Sequence, residues 1–161
     1  GLMYTASSVQ GSLEALRSMN AVTHFTHYTV AHAHLGMYGF ITLVFFGAMY
    51  FVMPRITARE WPYPSWILIH FWLVTGGFAF YFVTLTMGGW LQGLAMLDEA
   101  RSFMDSVTLT LPYLKARSIG GALMVTGHLV FALHFVALAL GWGPNRERPA
   151  LFKTLFRVEA A

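Results

Sequence analysis

The sequence predicts an all-α, polytopic integral membrane protein with three transmembrane helices, and three observations support this fold class. Of the 161 residues, 57% are hydrophobic and only 11% are charged, whereas roughly 25% of the residues of a soluble domain are charged. No Asp, Glu, Lys or Arg lies within residues 18–54, 65–97 or 118–145. Each of these stretches exceeds the about 20 apolar residues that a helix needs to cross a bilayer, so we expect a lipid environment.

The elements are predicted in chain order as follows. The first helix covers about residues 29–53 and ends at Pro54, and a proline-rich linker with interfacial Trp and Tyr residues comes next. The second helix covers about residues 65–90, and the third covers about residues 118–142. Residues 98–117 are interpreted as the only long polar loop, broken at Pro112.

The start of the chain is typical of the middle of a protein. Residues 1–20 lack an initiator Met and resemble the exit of a preceding helix. We therefore expect residues 1–161 to be one part of a longer polypeptide.

Basic residues are unevenly divided between the two sides of the predicted membrane. Four Lys or Arg fall on the side of residues 1–20 and 98–117, and six fall on the side of the 54–64 linker and the C-terminal tail. Because cytoplasmic loops are enriched in Lys and Arg, this bias predicts a cytoplasmic C-terminus. The net charge of +3 is attributed to basic loop and tail residues that set the orientation in the membrane, and we expect no nucleic-acid partner. The absence of Cys excludes disulfides and thiolate ligands within the chain.

Two histidines, His32 and His34, lie two residues apart at the head of the first predicted helix. Positions i and i+2 of an α-helix point about 200° apart, so these side chains must face different partners. Ionisable side chains inside a membrane usually mark functional sites, and His is a common axial ligand of haem iron. Two haems, one on each flank of the helix, would explain the pair.

Other polar residues have less specific explanations. Asn20, His24 and nearby threonines could line a haem propionate rim or could simply cap the helix, and His24 and His27 could share a small cation. Three further histidines are interpreted as interfacial or hydrogen-bonded residues whose spacings do not converge on one metal; they are His70, His128 and His134.

The segment NAVTHFTHYTVAHAHLGMYGF, residues 20–40, resembles the tenth transmembrane helix of subunit I in the haem–copper oxidase superfamily. An HxH pair holds two haems side by side in that helix. Four later segments resemble the cbb3-type cytochrome c oxidases in particular: HFWLVTGG (70–77), WLQG (90–93), FMDSV (103–107) and RSIGGALMVTGHLVFA (117–132). The resemblance covers nearly the whole chain, but only the last three helices of a subunit that has about twelve.

The resemblance implies roles for individual residues. His32 would be the axial ligand of the high-spin active-site haem, and His34 would be one of two axial ligands of the low-spin b-type haem. Asn20 and His24 would lie near the propionates of the active-site haem, and copper would be bound by residues outside this chain. His27 stands where the cbb3 pattern commonly has Asp, which leaves its contacts open.

The resemblance also implies a respiratory oxidoreductase that reduces O2 to water with electrons from cytochrome c. Its partners would be the remaining helices of subunit I, c-type cytochrome subunits and the lipids of a bacterial cytoplasmic membrane. The segment around Leu35 is also similar to nitric oxide reductases, so NO is an alternative substrate. Two further alternatives stay open at this point: a dihaem cytochrome that only transfers electrons, and a membrane subunit without a cofactor.

Overall fold

The computed structural model describes residues 1–145 and 150, and every regular element in this part of the chain is helical. Two short helices, α1 (Leu2–Glu14) and α2 (Arg17–Thr23), precede three long helices. We call these the first span (His27–Thr57), the second span (Pro64–Met96) and the third span (Phe103–Leu140). All three are long and apolar enough to cross a membrane, which confirms the predicted fold class.

The first span contains a π-helical segment, Leu35–Thr42, which begins directly after His34. α-Helical segments, His27–His34 and Leu43–Thr57, lie on either side of it. π-Helical turns are rare and occur frequently at functional sites. Because a π-helix rotates less per residue than an α-helix does, this segment changes the direction in which the later side chains of the span point.

The first span continues beyond Pro54, so the prediction that the helix ends there was wrong. The Pro54 carbonyl accepts a hydrogen bond from the Arg59 backbone N–H at 3.2 Å, and the Thr57 hydroxyl donates to the Met53 carbonyl at 2.9 Å. The helix ends at Thr57, where Ala58 takes a left-handed conformation with φ of 52°. Membrane helices tolerate an internal proline when other groups satisfy the freed backbone atoms.

The predicted loop over residues 98–117 is mostly helical, because the third span begins at Phe103 and runs through Pro112. A capping box starts this helix: the Ser102 hydroxyl accepts from the Asp105 backbone N–H, and the Asp105 carboxylate accepts from the Ser102 backbone N–H. At 1.5 Å per residue a helix of 38 residues is about 57 Å long. This exceeds the about 30 Å hydrocarbon core, so we place its polar first turns outside the lipid.

Glycines bring the helices into close contact. A Cβ at Gly77 would lie 2.8 Å from the carbonyl oxygen of Gly120, and a Cβ at Gly120 would lie 2.6 Å from the carbonyl oxygen of Gly77. The second and third spans therefore meet through their backbones, as is common where small residues line helix interfaces in membranes. Near the other end of the second span, Gly93 faces the backbone of Val22 in α2.

Candidate functional site

The chain turns sharply just before the paired histidines. α2 ends at Thr23, Phe25 has a positive φ of 59°, and Thr26 caps the first span. The Thr26 hydroxyl donates to the Thr23 carbonyl at 2.6 Å and accepts from the Tyr28 backbone N–H at 3.2 Å. The capping interpretation is therefore confirmed for Thr26, and the helix begins at His27 because of this cap.

Two predicted rim residues, Asn20 and His24, lie exposed beside this turn. The Asn20 side chain donates to the Glu14 carbonyl at 3.2 Å, and the His24 ring packs on Phe25 with centroids 4.0 Å apart. The His27 backbone N–H donates to the Gln92 side chain of the second span at 3.0 Å. Among the described residues no group of three His, Cys, Asp or Glu could hold a metal ion, and a small cation shared by His24 and His27 alone stays a prediction.

His32 points toward α1. A Cβ at Gly11 would lie 3.1 Å from Cε1 of His32 and 3.2 Å from its Nε2, so the ring packs closely against α1 at a position without a side chain. The ring borders a cavity of about 760 Å³ between α1 and the first span, whose wall consists mainly of small residues such as Ser7, Ala15 and Gly36. Ligand pockets have volumes of roughly 300–1,000 Å³, so this space is large enough for a cofactor.

The surroundings of His32 are polar on one side. Its Nδ1 is buried without a hydrogen-bond partner in the described part of the chain. The neighbouring Glu14, at the end of α1, has a carboxyl oxygen that is also buried and without such a partner. Burial raises the pKa of Glu14 above its ordinary value, and the charge of His32 opposes that rise. A carboxyl and an imidazole therefore lie near each other where water is partly excluded.

His34 points toward the second span. Its Nδ1 donates to the Val30 carbonyl at 2.8 Å, and its Nε2 lies 3.4 Å from the Tyr81 hydroxyl. Because Nδ1 carries the proton in this hydrogen bond, the lone pair of the ring is on Nε2, and the side chain is held in one orientation. A neutral imidazole held in this way is suited to bind a metal through Nε2.

The two rings thus lie on opposite sides of one helix, as their spacing predicts. His32 contacts α1, and His34 contacts Tyr81 of the second span. Both are half-buried, and imidazole is a suitable axial ligand for haem iron. With an open space bordering His32 and an oriented lone pair on His34, both residues fit the expected haem-ligating roles.

The sequence interpretation missed a second polar cluster inside the bundle. The Tyr38 hydroxyl is 2.7 Å from His128 Nε2, and the Tyr50 hydroxyl is 2.9 Å from His70 Nδ1. His134 accepts a hydrogen bond from the Tyr63 backbone N–H at 3.2 Å. The hydrogen-bonded interpretation of these three histidines is confirmed.

The rings of His70 and His128 lie close to each other, with centroids 6.0 Å apart, and the described residues contain no group of three side chains that could hold a metal ion. A single α-helical phase does not predict the contact between Tyr38 and His128. Tyr38 lies in the π-helical segment, and His128 lies 90 positions away. The only signal in the sequence was the presence of tyrosines and histidines within apolar stretches.

Comparison with known proteins identifies relatives of this chain. Residues 1–123 match the family described as cytochrome c and quinol oxidase polypeptide I. The chain is 34% identical over 136 residues to the cbb3-type cytochrome c oxidase subunit CcoN1 of Stutzerimonas stutzeri, covering 80% of this chain and 29% of that protein. It is 31% identical over 144 residues to cytochrome c oxidase subunit 1 of Rhodobacter capsulatus, covering 83% of this chain and 26% of that protein.

A more distant similarity joins the chain to a nitric oxide reductase subunit of Stutzerimonas stutzeri. The two are 27% identical over 143 residues, which cover 82% of this chain and 30% of that protein. In all three comparisons the chain spans less than a third of the relative's length.

Proposed function

Because the chain belongs to the cytochrome c and quinol oxidase polypeptide I family, we propose that it forms the haem-binding C-terminal portion of a terminal respiratory oxidase. In this proposal His32 is the axial ligand of a high-spin active-site haem, and His34 is one of two axial ligands of a low-spin b-type haem. Asn20 and His24 lie near the propionates of the active-site haem. The complete complex reduces O2 to water with electrons from cytochrome c.

One observation carries this proposal: two half-buried histidines of one helix face different elements, with His32 against α1 and His34 against the second span. A single metal ion cannot bind both rings in that arrangement, whereas two flat cofactors on opposite flanks can. The donation from His34 Nδ1 to the Val30 carbonyl supports ligation through Nε2, because it leaves that nitrogen unprotonated.

The bound haems would supply the electron transfer and the oxygen chemistry. This chain would contribute fixed geometry: one helix carries both ligands, so the spacing of the two irons would vary little. Gly11 leaves room beside His32, and the Val30 carbonyl orients His34. Exclusion of water by the helices lowers the local dielectric constant and so strengthens electrostatic control of both cofactors.

The same proposal assigns partners and location. Copper is bound by residues outside this chain, and the remaining helices of subunit I supply the second ligand of the low-spin haem. The donors of electrons are c-type cytochrome subunits. The three spans lie in a bacterial cytoplasmic membrane with the C-terminus on the cytoplasmic side.

Nitric oxide reduction is a second candidate function, favoured by the 27% identity to the nitric oxide reductase subunit. The two candidates differ in the metal opposite the active-site haem, which is copper in an oxidase and non-haem iron in a nitric oxide reductase. Metal analysis of the purified complex distinguishes them: copper with O2 consumption supports the oxidase, and iron beyond the haem content with NO consumption supports the reductase.

Single substitutions in the intact complex test the ligand assignment. His32→Ala is expected to remove the high-spin haem signal and abolish activity, while the bis-histidine low-spin spectrum remains. His34→Ala is expected to remove the low-spin haem signal, while the high-spin haem signal remains. His134→Gln serves as the control, because His134 is buried elsewhere in the bundle and bonded to the Tyr63 backbone. Loss of the same haem signal in both alanine variants, or of neither, would contradict the proposal.

A further inference from the structure

A polar cavity lies where the first and third spans end on the same side of the bundle. The connection after the first span packs against the segment after the third span. A Cβ at Gly143 would lie 2.9 Å from Cβ of Pro62 and 2.9 Å from the hydroxyl oxygen of Tyr63. The cavity between these two segments has a volume of about 360 Å³, and ligand pockets have volumes of roughly 300–1,000 Å³. Two segments that are far apart in the sequence therefore form one small site.

The Arg59 side chain lines this cavity and is held against the end of the third span. A Cβ at Gly141, whose φ is 69°, would collide with Nη1 of Arg59. The helix ends here with the Trp142 N–H donating to the Ala137 carbonyl at 2.8 Å, and a cation is favourable beside such a C-terminus. The guanidinium has no ion pair or hydrogen bond to another described residue, so its five N–H donors remain available to a ligand.

The next residue, Glu60, adds a negative charge to the same wall. Its Oε2 accepts a hydrogen bond from the Ala150 backbone N–H at 3.1 Å. A carboxylate has about four acceptor sites, so this group can accept further hydrogen bonds. Arg59 and Glu60 are the charged side chains among the described residues that line the cavity. The described wall therefore carries one charge of each sign and no net charge.

The cavity lies at the depth where a membrane has its headgroups. The two helices that border it are long and apolar enough to cross a bilayer, and they end at Thr57 and Leu140. Trp142 in the cavity wall is 62% exposed, and tryptophan is enriched at the boundary between lipid and water. Phospholipids present their phosphate groups at this boundary, so they are the molecules that reach this site from the bilayer.

We propose that this cavity binds the headgroup of a phosphoethanolamine lipid, a zwitterion with a phosphate and a primary ammonium group. Arg59 donates to the phosphate oxygens, because a guanidinium binds phosphate through paired N–H donors. Glu60 accepts a hydrogen bond from the ammonium group. An anionic headgroup would leave the Glu60 carboxylate facing an unbalanced negative charge, and a choline headgroup has no ammonium N–H to donate. The site is separate from His32 and His34.

Native mass spectrometry of the intact complex tests the proposal. The complex is incubated in mild detergent with equal amounts of phosphatidylethanolamine, phosphatidylcholine and phosphatidylglycerol. We expect the wild-type complex to retain one phosphatidylethanolamine that Arg59→Gln loses. Arg101→Gln is the matched control and should leave lipid retention unchanged, because Arg101 lies in the connection at the other end of the bundle and pairs with Asp98 at 3.0 Å. Equal retention by the wild type and Arg59→Gln would overturn the proposal, as would retention of either other lipid in place of phosphatidylethanolamine.

A second variant separates lipid recognition from damage to the end of the third span. In Glu60→Gln the described wall keeps only its positive charge, so we expect this variant to lose the phosphatidylethanolamine and to retain one phosphatidylglycerol instead. Unchanged retention of phosphatidylethanolamine by Glu60→Gln would overturn the role of the carboxylate. Soluble phosphoethanolamine in excess should not displace the bound lipid, because acyl chains keep the lipid at the membrane boundary. Complete displacement would show that the site takes a free phosphate ester and would overturn the assignment to a lipid.

Discussion

At the scale of single residues, the absence of a side chain at Gly11 is coupled to the position of His32. The ring of His32 leaves little room for a side chain at position 11, because a Cβ there would lie 3.1 Å from Cε1 and 3.2 Å from Nε2 of the ring. Any substitution there must push the imidazole away from α1. The geometry of His32 is therefore set by two helices at once.

On the proposed assignment of His32 to the high-spin haem, we predict that Gly11→Ala in the intact complex shifts the absorption and EPR signals of that haem and leaves the low-spin haem unchanged. The reason is that the new methyl group displaces the His32 ring by a few tenths of an ångström, whereas His34 lies on the other side of the helix. Gly47→Ala is the control, because nothing lies within 4 Å of a Cβ there. Unchanged spectra in Gly11→Ala would show that α1 does not position His32.

Residue spacing alone predicted the divergence of His32 and His34, because both lie before the π-helical segment and keep the α-helical rotation of about 100° per residue. The pairing of Tyr38 with His128 could not be predicted in this way. Tyr38 lies within the π-helical segment, where that rotation no longer applies. Its partner belongs to another span, and hydrogen bonds between spans leave no periodic trace in a sequence.

At the scale of elements, hydropathy located all three spans but misplaced their ends. Residues 103–117 contain Asp105, Lys115 and Arg117, so their composition is typical of a loop, although they form the first turns of a long helix. The capping box at Ser102 was the local signal for that start. Helix length and lipid contact are separate properties, and hydropathy reports only the second.

Packing between elements leads to a prediction about Gly93. A Cβ at this position would collide with the Val22 carbonyl oxygen, a backbone atom that cannot rotate away. We expect Gly93→Ala to separate the second span from α2 and to destabilise the protein by about 1–3 kcal/mol, the usual cost of overpacking. Thermal denaturation of the purified complex measures the loss.

Gly76→Ala is the matched control within the same helix, since nothing lies within 4 Å of a Cβ at Gly76. Alanine favours a helix over glycine by about 1 kcal/mol, so this variant should be neutral or slightly more stable. Equal destabilisation by the two substitutions would mean that the contact with α2 does not contribute to stability.

At the scale of the whole molecule, the charge distribution predicts the orientation in the membrane. The side with four basic residues includes the short connection at residues 97–102, and the other side includes the connection at residues 58–63. Four of the six basic residues that favour a cytoplasmic C-terminus lie outside the described residues: Arg146, Arg148, Lys153 and Arg157. The orientation therefore stays a prediction from sequence.

Labelling of introduced cysteines tests this orientation, and residues 1–161 contain no native Cys that would be labelled beside them. Ala100→Cys and Asn145→Cys place thiols at exposed positions on opposite sides. A membrane-impermeant maleimide should modify Ala100→Cys in cells with a permeabilised outer membrane, and Asn145→Cys only in inverted vesicles. The reverse pattern would place the C-terminus outside the cytoplasm.

The final prediction concerns what residues 1–161 do when expressed on their own. A copper ion opposite the active-site haem needs several neutral imidazoles that converge on it. Five other histidines remain. His24 is exposed at the turn before the first span. One ring nitrogen of His70 and one of His128 are hydrogen-bonded to tyrosine hydroxyls. The described residues provide no group of three metal-binding side chains.

We therefore expect the isolated segment to bind no stoichiometric copper and to reduce no O2, because in the proposed oxidase the copper-binding imidazoles and the second ligand of the low-spin haem come from other helices. Elemental analysis and an oxygen electrode on the purified segment measure both properties, with the intact complex as the positive control. One tightly bound copper together with turnover would mean that histidines assigned to hydrogen bonding, such as His70 and His128, rearrange to form a catalytic metal site.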